Sequence, residues 1–404
     1  MAVKTITLGC RFNYYESEVT KASLKTLHPS EDFVVINTCA VTHEAERQSK
    51  QAVRKAIREN PNAKIIVTGC AAKTAAEYFG SLDGVFQILQ NDDKAAFDEA
   101  FVPEEDDQLF KYRARVFLQI QNGCDHFCTY CIVPHTRGRS VSLPIETILN
   151  RIEYFINQGF KEIALSGIDI TSYGKDLHGN LEFADVLEAI LKKCPEMNRI
   201  RISSIDPNGI NDRLFNLFAN EKRILPHFHL SIQSGDNEVL KSMRRRHIRE
   251  EVIKFCENMR NIRSNSVFGA DFIAGFPAET ESGFENTLKL IDEAGLSLMH
   301  VFPFSPRTGT VAANMIQLPK QVILERAKRL REKAEDAKLK LFESMVGQKV
   351  RCMVEKSEEG LSYGKTDSFI PVVINKIYLP SQIIENQIVT GFDENHLIIG
   401  EEPC

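Results

Sequence analysis

The sequence lacks the usual marks of a membrane or secreted protein. Its longest aliphatic runs, such as Ile65-Ile66-Val67, fall far short of the roughly 20 apolar residues that a membrane helix needs. The first residues lead directly into a strand-like segment, without the apolar stretch and cleavage site of a signal peptide. Internal repeats, low-complexity segments and a large excess of one charge are also missing, since the net charge is −5. We therefore expect a cytoplasmic protein.

The composition is that of an ordinary globular protein, with 43% hydrophobic and 26% charged residues. At roughly 150 residues per domain, 404 residues predict two to four domains. In a reducing compartment, structural disulfides are not expected, so metal ligation, redox chemistry or burial must explain the cysteines. The ten cysteines stand at positions 10, 39, 70, 124, 128, 131, 194, 256, 352 and 404.

The N-terminal region alternates strand and helix patterns. Apolar runs at 5–8, 33–36 and 64–67 predict buried parallel strands, with a helical pattern at 44–59. This alternation predicts a small doubly wound α/β domain over residues 1–107, ending in an acidic, proline-containing run at 92–107. Each predicted strand is followed closely by a cysteine, and the carboxyl ends of parallel strands share one edge. The cysteines expected to converge there are Cys10, Cys39 and Cys70.

Two further domains follow. Residues 108–343 show six strand-plus-helix units, too few for a complete eight-stranded barrel, and they predict a partial (β/α)6 barrel. After Gly347 the pattern changes to short strands separated by turn residues, which predicts a small all-β barrel over residues 344–404. The fold class is therefore α/β with a terminal β domain. The strands predicted for the partial barrel are 117–121, 162–166, 199–204, 228–233, 268–274 and 299–304.

A Cys-x3-Cys-x2-Cys motif follows the first predicted barrel strand, at Cys124, Cys128 and Cys131. Three thiolates at this spacing can bind three irons of a 4Fe–4S cluster and leave the fourth iron without a protein ligand. A structural zinc site is the alternative, but zinc needs four ligands, and His126 or His135 would be an awkward fourth. Cys10, Cys39 and Cys70 repeat the incomplete set of three. A single cysteine after a strand is usually just buried, whereas three at one edge predict a second cluster.

These motifs resemble the radical S-adenosylmethionine (SAM) superfamily and, within it, the methylthiotransferases. The resemblance extends over essentially the whole chain. The forms around Cys10 and Cys39 resemble most the branch that modifies threonylcarbamoyladenosine in tRNA, and the terminal barrel resembles the TRAM domain. The segments that carry the resemblance are LGCRFN (8–13), INTCAVT (36–42), VTGC (67–70), GCDHFCTYCIVP (123–134), RGR (137–139), SSIDP (203–207), LSIQSG (230–235), MRR (243–245), DFIAGFP (271–277) and FSPRTGT (304–310).

The resemblance implies a chemistry and its cofactors. It implies two 4Fe–4S clusters and SAM, which serves once as methyl donor and once as the source of a 5′-deoxyadenosyl radical. A methylthio group would be inserted at C2 of the adenine at position 37, next to the anticodon. The implied partners are the tRNA anticodon stem-loop and an electron donor such as flavodoxin or ferredoxin. The six residues that would act through the clusters are Cys10, Cys39, Cys70, Cys124, Cys128 and Cys131.

SAM itself would be held by residues near the strand ends. Tyr130 could pack on the adenine, or it could be an ordinary core aromatic. Asp169 could bind the methionine ammonium, or cap the next turn. Ribose or carboxylate contacts would come from serine and glutamine side chains, and Arg244 or Arg245 could pair with the carboxylate. The candidate SAM-binding residues are Tyr130, Gly167, Asp169, Ser203, Ser204, Gln233 and Arg245.

Charge patterning is the remaining signal for a nucleic-acid partner. Basic residues cluster on the helix after Cys39, around 241–249 and along 320–340, where they could contact phosphates or form solvated helix faces. Residues 344–404 depart from this basic pattern, because they hold five Lys or Arg against nine Asp or Glu. Three alternatives therefore stay open: an enzyme acting on isopentenyladenosine in tRNA, one acting on a ribosomal protein side chain, and a non-catalytic iron–sulfur RNA-binding protein.

Overall fold

The computed structural model describes residues 3–28, 30–91 and 113–400, and its N-terminal part is built on a four-stranded sheet. Neighbouring strands run parallel in the order β1-β2-β3-β4. The three apolar runs form the predicted strands, and a fourth run adds an edge strand that the pattern did not predict. The strands are β1 (Val3–Thr7), β2 (Phe33–Thr38), β3 (Lys64–Gly69) and β4 (Val85–Leu89).

Helices cover both faces of this sheet, as expected for the α/β class. Leu24 packs with Val35 on one face, whereas Val53 packs with Val34 and Ile36 on the other. The four strands lie in consecutive order. The sheet therefore lacks the reversal of strand order that is typical of a doubly wound fold, and this refines the prediction. The carboxyl ends of β1, β2 and β3 meet because these strands are direct parallel neighbours, without a reversal point. The helices are Arg11–Leu27, His43–Glu59, Cys70–Thr74 and Ala76–Gly80.

The central part forms the predicted partial (β/α)6 barrel. Two parallel segments, β5-β7-β8 and β9-β10-β11, meet through a bridge between Ile205 and Leu230, and β6 pairs antiparallel with β5. The strands are β5 (Val116–Asn122), β6 (Val141–Ser142), β7 (Glu162–Gly167), β8 (Arg199–Ile202), β9 (His227–Gln233), β10 (Val267–Ala274) and β11 (Leu296–Pro303). The helices are Val133–Arg137, Ile145–Asn157, Phe183–Lys193, Asp212–Asn220, Asn237–Ser242, Arg249–Ile262, Glu281–Ala294 and Lys320–Met345, with short 3-10 turns at Ile170–Ser172, Pro207–Gly209 and Val311–Asn314.

Alternation along the strands separates the core from the barrel interior. Val116, Leu118 and Ile120 of β5 are fully buried in the hydrophobic core that the outer helices close. Because successive side chains in a strand point to opposite faces, Phe117 and Gln119 point into the barrel. The interior is therefore lined by a different, more polar set of side chains than the core that holds the fold together.

The C-terminal part is a closed barrel with the strand order β12-β13-β14-β16-β15, which confirms the all-β prediction. It packs on the core domain through Phe342 and Val267, at the amino end of β10. The predicted boundary at 343/344 falls in the last turn of helix Lys320–Met345, and the one at 107/108 lies outside the described residues. The strands are β12 (Lys349–Glu358), β13 (Leu361–Thr366), β14 (Pro371–Ile374), β15 (Ile383–Phe392) and β16 (Leu397–Gly400).

Candidate active site at two cysteine triads

The N-terminal triad (Cys10, Cys39 and Cys70) lies at the carboxyl edge of the first sheet. Cys10 and Cys39 follow β1 and β2, and Cys70 opens the helix after β3. A glycine is required before Cys70, because Gly69 has φ +93° and a Cβ there would collide with the carbonyl oxygen of Thr38. The backbone thereby turns sharply enough to place Cys70 at the edge that Cys10 and Cys39 also reach.

Burial and mutual proximity shape the N-terminal thiols. Burial, with Cys70 and Cys10 nearby, raises the pKa of Cys39 to about 11. Burial also raises the pKa of Cys10, and Cys70 adds to the shift. Cys10 and Cys39 are therefore both influenced by Cys70, as expected for side chains that share one site. Since metals bind the thiolate, these cysteines would lose their protons on binding a metal.

The core triad (Cys124, Cys128 and Cys131) lies in the loop after β5. The backbone N–H of Cys131 donates to the carbonyl of Cys128 at 3.0 Å, which gives the loop a tight turn of its own. The loop is anchored through Thr129, whose N–H donates to the carbonyl of Met243 at 3.1 Å. Burial raises the pKa of both Cys124 and Cys131 to about 12, and the neighbouring Cys128 contributes to each shift.

The spacing of the thiols decides which metal group fits. Among the described residues, two groups of side chains bring three ligand atoms within 4.8 Å of one another, and neither is a cysteine triad. One group is His229, Asp271 and His300; in the other, Cys124 is joined by His126 and Asp169, which pair with each other at 2.8 Å. A single zinc ion needs all its ligands around one point, whereas each thiolate of a 4Fe–4S cluster binds a different iron. Both triads therefore fit iron–sulfur clusters better than zinc.

Arg137 joins the two triads across the domain interface. Its guanidinium donates to Glu16 at 2.6 Å and to Asn13 Oδ1 at 2.7 Å. Burial lowers the pKa of Arg137, but Glu16, Cys70 and Cys10 together outweigh this effect and raise it well above its ordinary value. The same residue ends the short helix that follows the core triad, and this helix packs on the helix opened by Cys70. The segment that follows the core triad therefore packs against the loops that carry the N-terminal triad.

Asn13 connects the cysteine loops of the N-terminal triad. Its side-chain amide donates to the carbonyls of Leu8 at 2.7 Å and Thr38 at 3.0 Å, and these residues lie just before Cys10 and Cys39. One side chain thus holds two loops together, and its oxygen accepts from Arg137. Neither Asn13 nor Arg137 was predicted as a site residue, although both lie in segments that carry the family resemblance.

Several predicted SAM-binding residues lie beside the core triad. Arg245 donates toward the sulfur of Cys128 at 3.6 Å and to the carbonyl of Ser231 at 2.5 Å, whereas Arg244 is exposed. Hydrogen bonding from His126 holds the pKa of Asp169 below its ordinary value, although burial opposes this shift. The structure therefore favours Arg245 over Arg244, and it gives Asp169 a partner inside the cluster loop.

The other predicted SAM-binding residues lie at the ends of β7, β8 and β9 and in the loop of the core triad. The N–H of Gly167 donates to the hydroxyl of Ser203 at 3.4 Å, which joins the ends of β7 and β8. Within the described residues, the side chains of Ser204 and Gln233 make no hydrogen bond, and Gln233 has φ +77° at the end of β9. Tyr130 is half-buried against an apolar cluster that includes Met243 and Phe276.

Asp206 is a site residue that the sequence reasoning missed. Its carboxylate pairs with Arg245 at 2.9 Å and lies 3.6 Å from His126 and 3.8 Å from His247. Burial raises the pKa of Asp206, but the hydrogen bond to His247 and the charge of Arg245 help to outweigh burial and lower it to about 2. The segment SSIDP was noticed, but nothing in its spacing showed that the aspartate would position the arginine beside Cys128.

The basic faces are only partly available for phosphate contacts. On helix His43–Glu59, Arg47 pairs with Glu44 at 2.6 Å and Lys50 pairs with Glu46 at 2.8 Å, while Arg54 is exposed. The basic face of this helix is therefore only partly open to a phosphate backbone.

No described helix is both long and apolar enough to cross a membrane.

Comparison with known proteins defines the class first. Residues 118–291 match the family model of the radical SAM superfamily, and residues 2–89 match that of the uncharacterized protein family UPF0004. A solved structure of the radical SAM methyltransferase TsrM from Kitasatospora setae, with cobalamin and a [4Fe-4S] cluster bound, superposes with a TM-score of 0.57. It shares 13% identity and covers 75% of this chain and 76% of its own. The fold is that of a radical SAM protein.

Curated relatives define the family within that class. The chain is 44% identical, over 97% of its length and 96% of the relative's, to the threonylcarbamoyladenosine tRNA methylthiotransferase MtaB of Rickettsia prowazekii. It is 34% identical to MtaB of Bacillus subtilis, over 91% of this chain and 89% of that protein. It is 32% identical to the tRNA-2-methylthio-N(6)-dimethylallyladenosine synthase of Carboxydothermus hydrogenoformans, over 92% of each chain. The chain belongs to the threonylcarbamoyladenosine tRNA methylthiotransferase family, which confirms the family predicted from the motifs.

Proposed function

We propose that this protein inserts a methylthio group at C2 of N6-threonylcarbamoyladenosine at position 37 of tRNA, next to the anticodon. The observation that carries the proposal is that one chain holds two incomplete cysteine triads, with Arg137 after the core triad bound to Asn13 beside the N-terminal triad, and is 44% identical to a relative of that name. A structural cluster would gain nothing from a missing protein ligand, whereas an iron open to exchange can bind a reactant. The arrangement therefore supports catalysis more than a purely structural role.

The proposal assigns roles to the chain's own residues. The N-terminal triad and the core triad would each hold one 4Fe–4S cluster. When bound, the clusters and SAM supply the sulfur, the methyl group and the 5′-deoxyadenosyl radical that the reaction needs. Arg245 would stabilise the thiolate of Cys128, because it donates toward that sulfur and is itself held by Asp206. Arg137 would fix the distance between the two triads.

SAM would bind at the carboxyl ends of the barrel strands, beside the core triad. We infer that the residues which end β7, β8 and β9 contact it, because they lie at the strand ends beside the core triad, and the side chains of Ser204 and Gln233 have no hydrogen-bond partner among the described residues. Gly167 offers its backbone, Asp169 a carboxylate, and Ser203, Ser204 and Gln233 offer polar side chains. Tyr130 would border the same site from the cluster loop. This set is the sequence-derived one, with Arg245 chosen in place of Arg244.

The partners and the compartment follow from the reaction. The RNA partner would be the anticodon stem-loop, because position 37 lies in it. Reductive cleavage of SAM consumes an electron, so we infer a donor of the flavodoxin or ferredoxin class. Since tRNA is the substrate, we infer that the protein works in the cytoplasm.

Nucleoside analysis by mass spectrometry tests the proposed function. In tRNA from cells that lack the gene, 2-methylthio-N6-threonylcarbamoyladenosine should disappear, with its unmodified precursor accumulating. A plasmid copy of the wild-type gene should restore it, and a Cys39→Ala copy should not. An unchanged level in an organism without a second such enzyme would overturn the proposal.

The same analysis separates the alternatives. Relatives named for dimethylallyladenosine are 32% identical to this chain, below the 44% shared with the first MtaB relative. Loss of the methylthio group from isopentenyladenosine would favour that activity instead. Unchanged tRNA together with a mass loss on a ribosomal protein would favour the protein substrate. No change in either, with RNA binding retained, would favour a non-catalytic iron–sulfur protein.

A further inference from the structure

Arg11 is a charged side chain beside the N-terminal triad that the steps above do not use. It follows Cys10 directly, and its guanidinium lies 5.5 Å from the ring centre of Phe117 and 5.4 Å from that of Phe369. Phe117 points into the partial barrel from β5, and Phe369 belongs to the loop between β13 and β14. Arg11 therefore lies where all three parts of the chain meet.

More cations surround the same aromatic ring. Lys365 lies 5.0 Å from the ring centre of Phe369, Arg201 lies 4.6 Å from it, and Arg115 lies 5.6 Å from it. One phenylalanine thus has four positive side chains around it. Attraction to its ring offsets only a small part of their mutual repulsion, since one cation–π contact changes an equilibrium constant by roughly tenfold. Other negative charge is needed to balance this cluster.

The carboxylates nearby are already engaged. Glu162 pairs with Arg115, Arg199 and Arg201, and Glu355 pairs with Arg115. Asp271 accepts from two histidines, His229 and His300, at 3.0 Å each. These contacts leave the carboxylates committed to partners other than Arg11 and Lys365.

Arg11 and Lys365 remain without a counter-ion. Within residues 3–28, 30–91 and 113–400, neither side chain makes a hydrogen bond or an ion pair. Burial lowers the pKa of Lys365, and the neighbouring Arg115 lowers it further. Arg11 keeps contact with solvent, and Lys365 is half-buried. Two accessible, partly desolvated cations with no partner form a site that an anion would stabilise.

We propose that Arg11, assisted by Lys365, binds the carboxylate of the threonyl group of the substrate nucleoside and so selects threonylcarbamoyladenosine over bases that lack a charge there. This inference rests on the proposed function. The carboxylate hangs from N6 of the same purine whose C2 receives the sulfur. A side chain that binds this carboxylate must lie near the N-terminal triad, and Arg11 is the residue after Cys10. The guanidinium fork matches a carboxylate in geometry, and the two phenylalanine rings would frame the base.

A backbone phosphate is the other anion that RNA could bring. The site favours the carboxylate, because it is enclosed between aromatic rings from the barrel interior and the C-terminal barrel. The exposed basic residues, such as Arg54, lie instead on an outer helix face. Phosphate contacts would be shared by every tRNA and would not depend on the group at N6. The two sources can therefore be told apart by changing only that group.

The test compares two anticodon stem-loop RNAs that differ in one charge. One carries threonylcarbamoyladenosine at position 37, and the other carries its methyl ester. The full-length protein, with both clusters reconstituted, is titrated with each RNA without SAM, and binding is followed by fluorescence anisotropy. Single-turnover methylthiolation of both RNAs is measured in parallel. The variants are Arg11→Gln, Arg11→Lys and Lys365→Gln, with the exposed Lys222→Gln as a matched loss of one surface charge.

The expected result is a loss of discrimination. Wild-type protein should bind the acid more tightly than the ester, by about ten- to a hundredfold, as expected for hydrogen bonds to a charged group. Arg11→Gln should bind the acid as weakly as the ester while its affinity for the ester stays unchanged. Arg11→Lys should recover part of the difference, and Lys365→Gln should lose less than Arg11→Gln. Lys222→Gln should match the wild type.

Three results would overturn the inference. Equal weakening of acid and ester in Arg11→Gln would show a phosphate contact. Unchanged affinity for both would show that Arg11 reads no part of the RNA. Loss of iron or of thermal stability in both Arg11 variants would show a structural role. A wild-type protein that modifies isopentenyladenosine RNA but not the threonylcarbamoyl RNA would overturn the proposed function as well, which separates the two failures.

Discussion

The core triad lies within one loop of eight residues, whereas the N-terminal triad is assembled from three strand ends separated by about thirty residues each. The loop of the core triad has a hydrogen bond of its own and is anchored by backbone bonds to Gly138, Met243 and Ala312. The N-terminal triad depends on the strand order, on Gly69 and on Asn13. A set of three ligands can therefore be positioned either by local geometry or by tertiary structure.

Breaking one triad at a time should give the largest effects. Cys39→Ala removes one ligand of the N-terminal triad, so methylthiolation should fall below detection while 5′-deoxyadenosine still forms, because the core triad is intact. Cys128→Ala should abolish both. Iron should fall from about eight to about four per chain in either variant. Iron analysis and chromatography of the products measure these outcomes.

The matched control for this pair is Cys194→Ala, which changes a thiol buried in the hydrophobic core. It should keep its iron and its activity. If Cys39→Ala still transferred the methylthio group, the N-terminal triad would not be the ligand set of a catalytic cluster.

Removing the link between the triads should have the next largest effect. Arg137→Met removes the cation that pairs with the buried Glu16, and breaking a buried ion pair in this way costs about 3–5 kcal/mol. Urea denaturation measures the free energy of unfolding. Arg213→Met, which breaks exposed ion pairs, should cost about 0–1 kcal/mol. Equal effects of the two changes would refute a special role for Arg137.

A methyl group at Gly69 should separate the tertiary triad from the local one. Gly69→Ala combines a positive φ with a collision at Thr38, so we expect a loss of roughly 1–3 kcal/mol and of the N-terminal iron. Gly159→Ala, at φ +85° with open space around it, should cost about 1–2 kcal/mol and keep all iron. Thermal unfolding and iron content distinguish them. Full iron in Gly69→Ala would show that this turn does not position Cys70.

The smallest effect is expected in the core-triad loop. Thr129→Val removes the hydroxyl that donates to the carbonyl of Ser242 at 3.0 Å, at a cost of about 0.5–1.5 kcal/mol. Because the backbone bonds within the loop remain, iron should stay at the wild-type level. Urea denaturation with iron analysis tests this. A loss of iron here would mean that the core triad also depends on distant anchors.

Much of the fold could be predicted from the sequence because its signals are local. The strands predicted at 228–233 and 268–274 match β9 and β10 to within one residue, because each apolar run gives a clear local pattern. Strand β4, at the edge of the sheet, was missed. The consecutive strand order could not be predicted either, because periodicity identifies strands but does not say which ones pair.

The candidate site divides in the same way. Cysteine spacing indicated both triads and the number of ligands in each. It could not indicate that Arg245 rather than Arg244 would reach Cys128, because that choice depends on the partner Asp206 from another strand end. The role of Arg137 was hidden for the same reason, since Glu16 and Asn13 belong to another part of the chain.

The class of chemistry follows from the sequence alone, because the order of residues specifies the ligand type, the ligand number and the spacing. The sequence also determined the alternation of strands and helices, through the positions of apolar side chains. Only the packing of distant segments brings Arg137, which follows the core triad, against Glu16 and Asn13, and brings Arg11 and Lys365 together around Phe369. These contacts join residues far apart in the chain. They depend on how separate hydrophobic cores pack together, which no local pattern encodes.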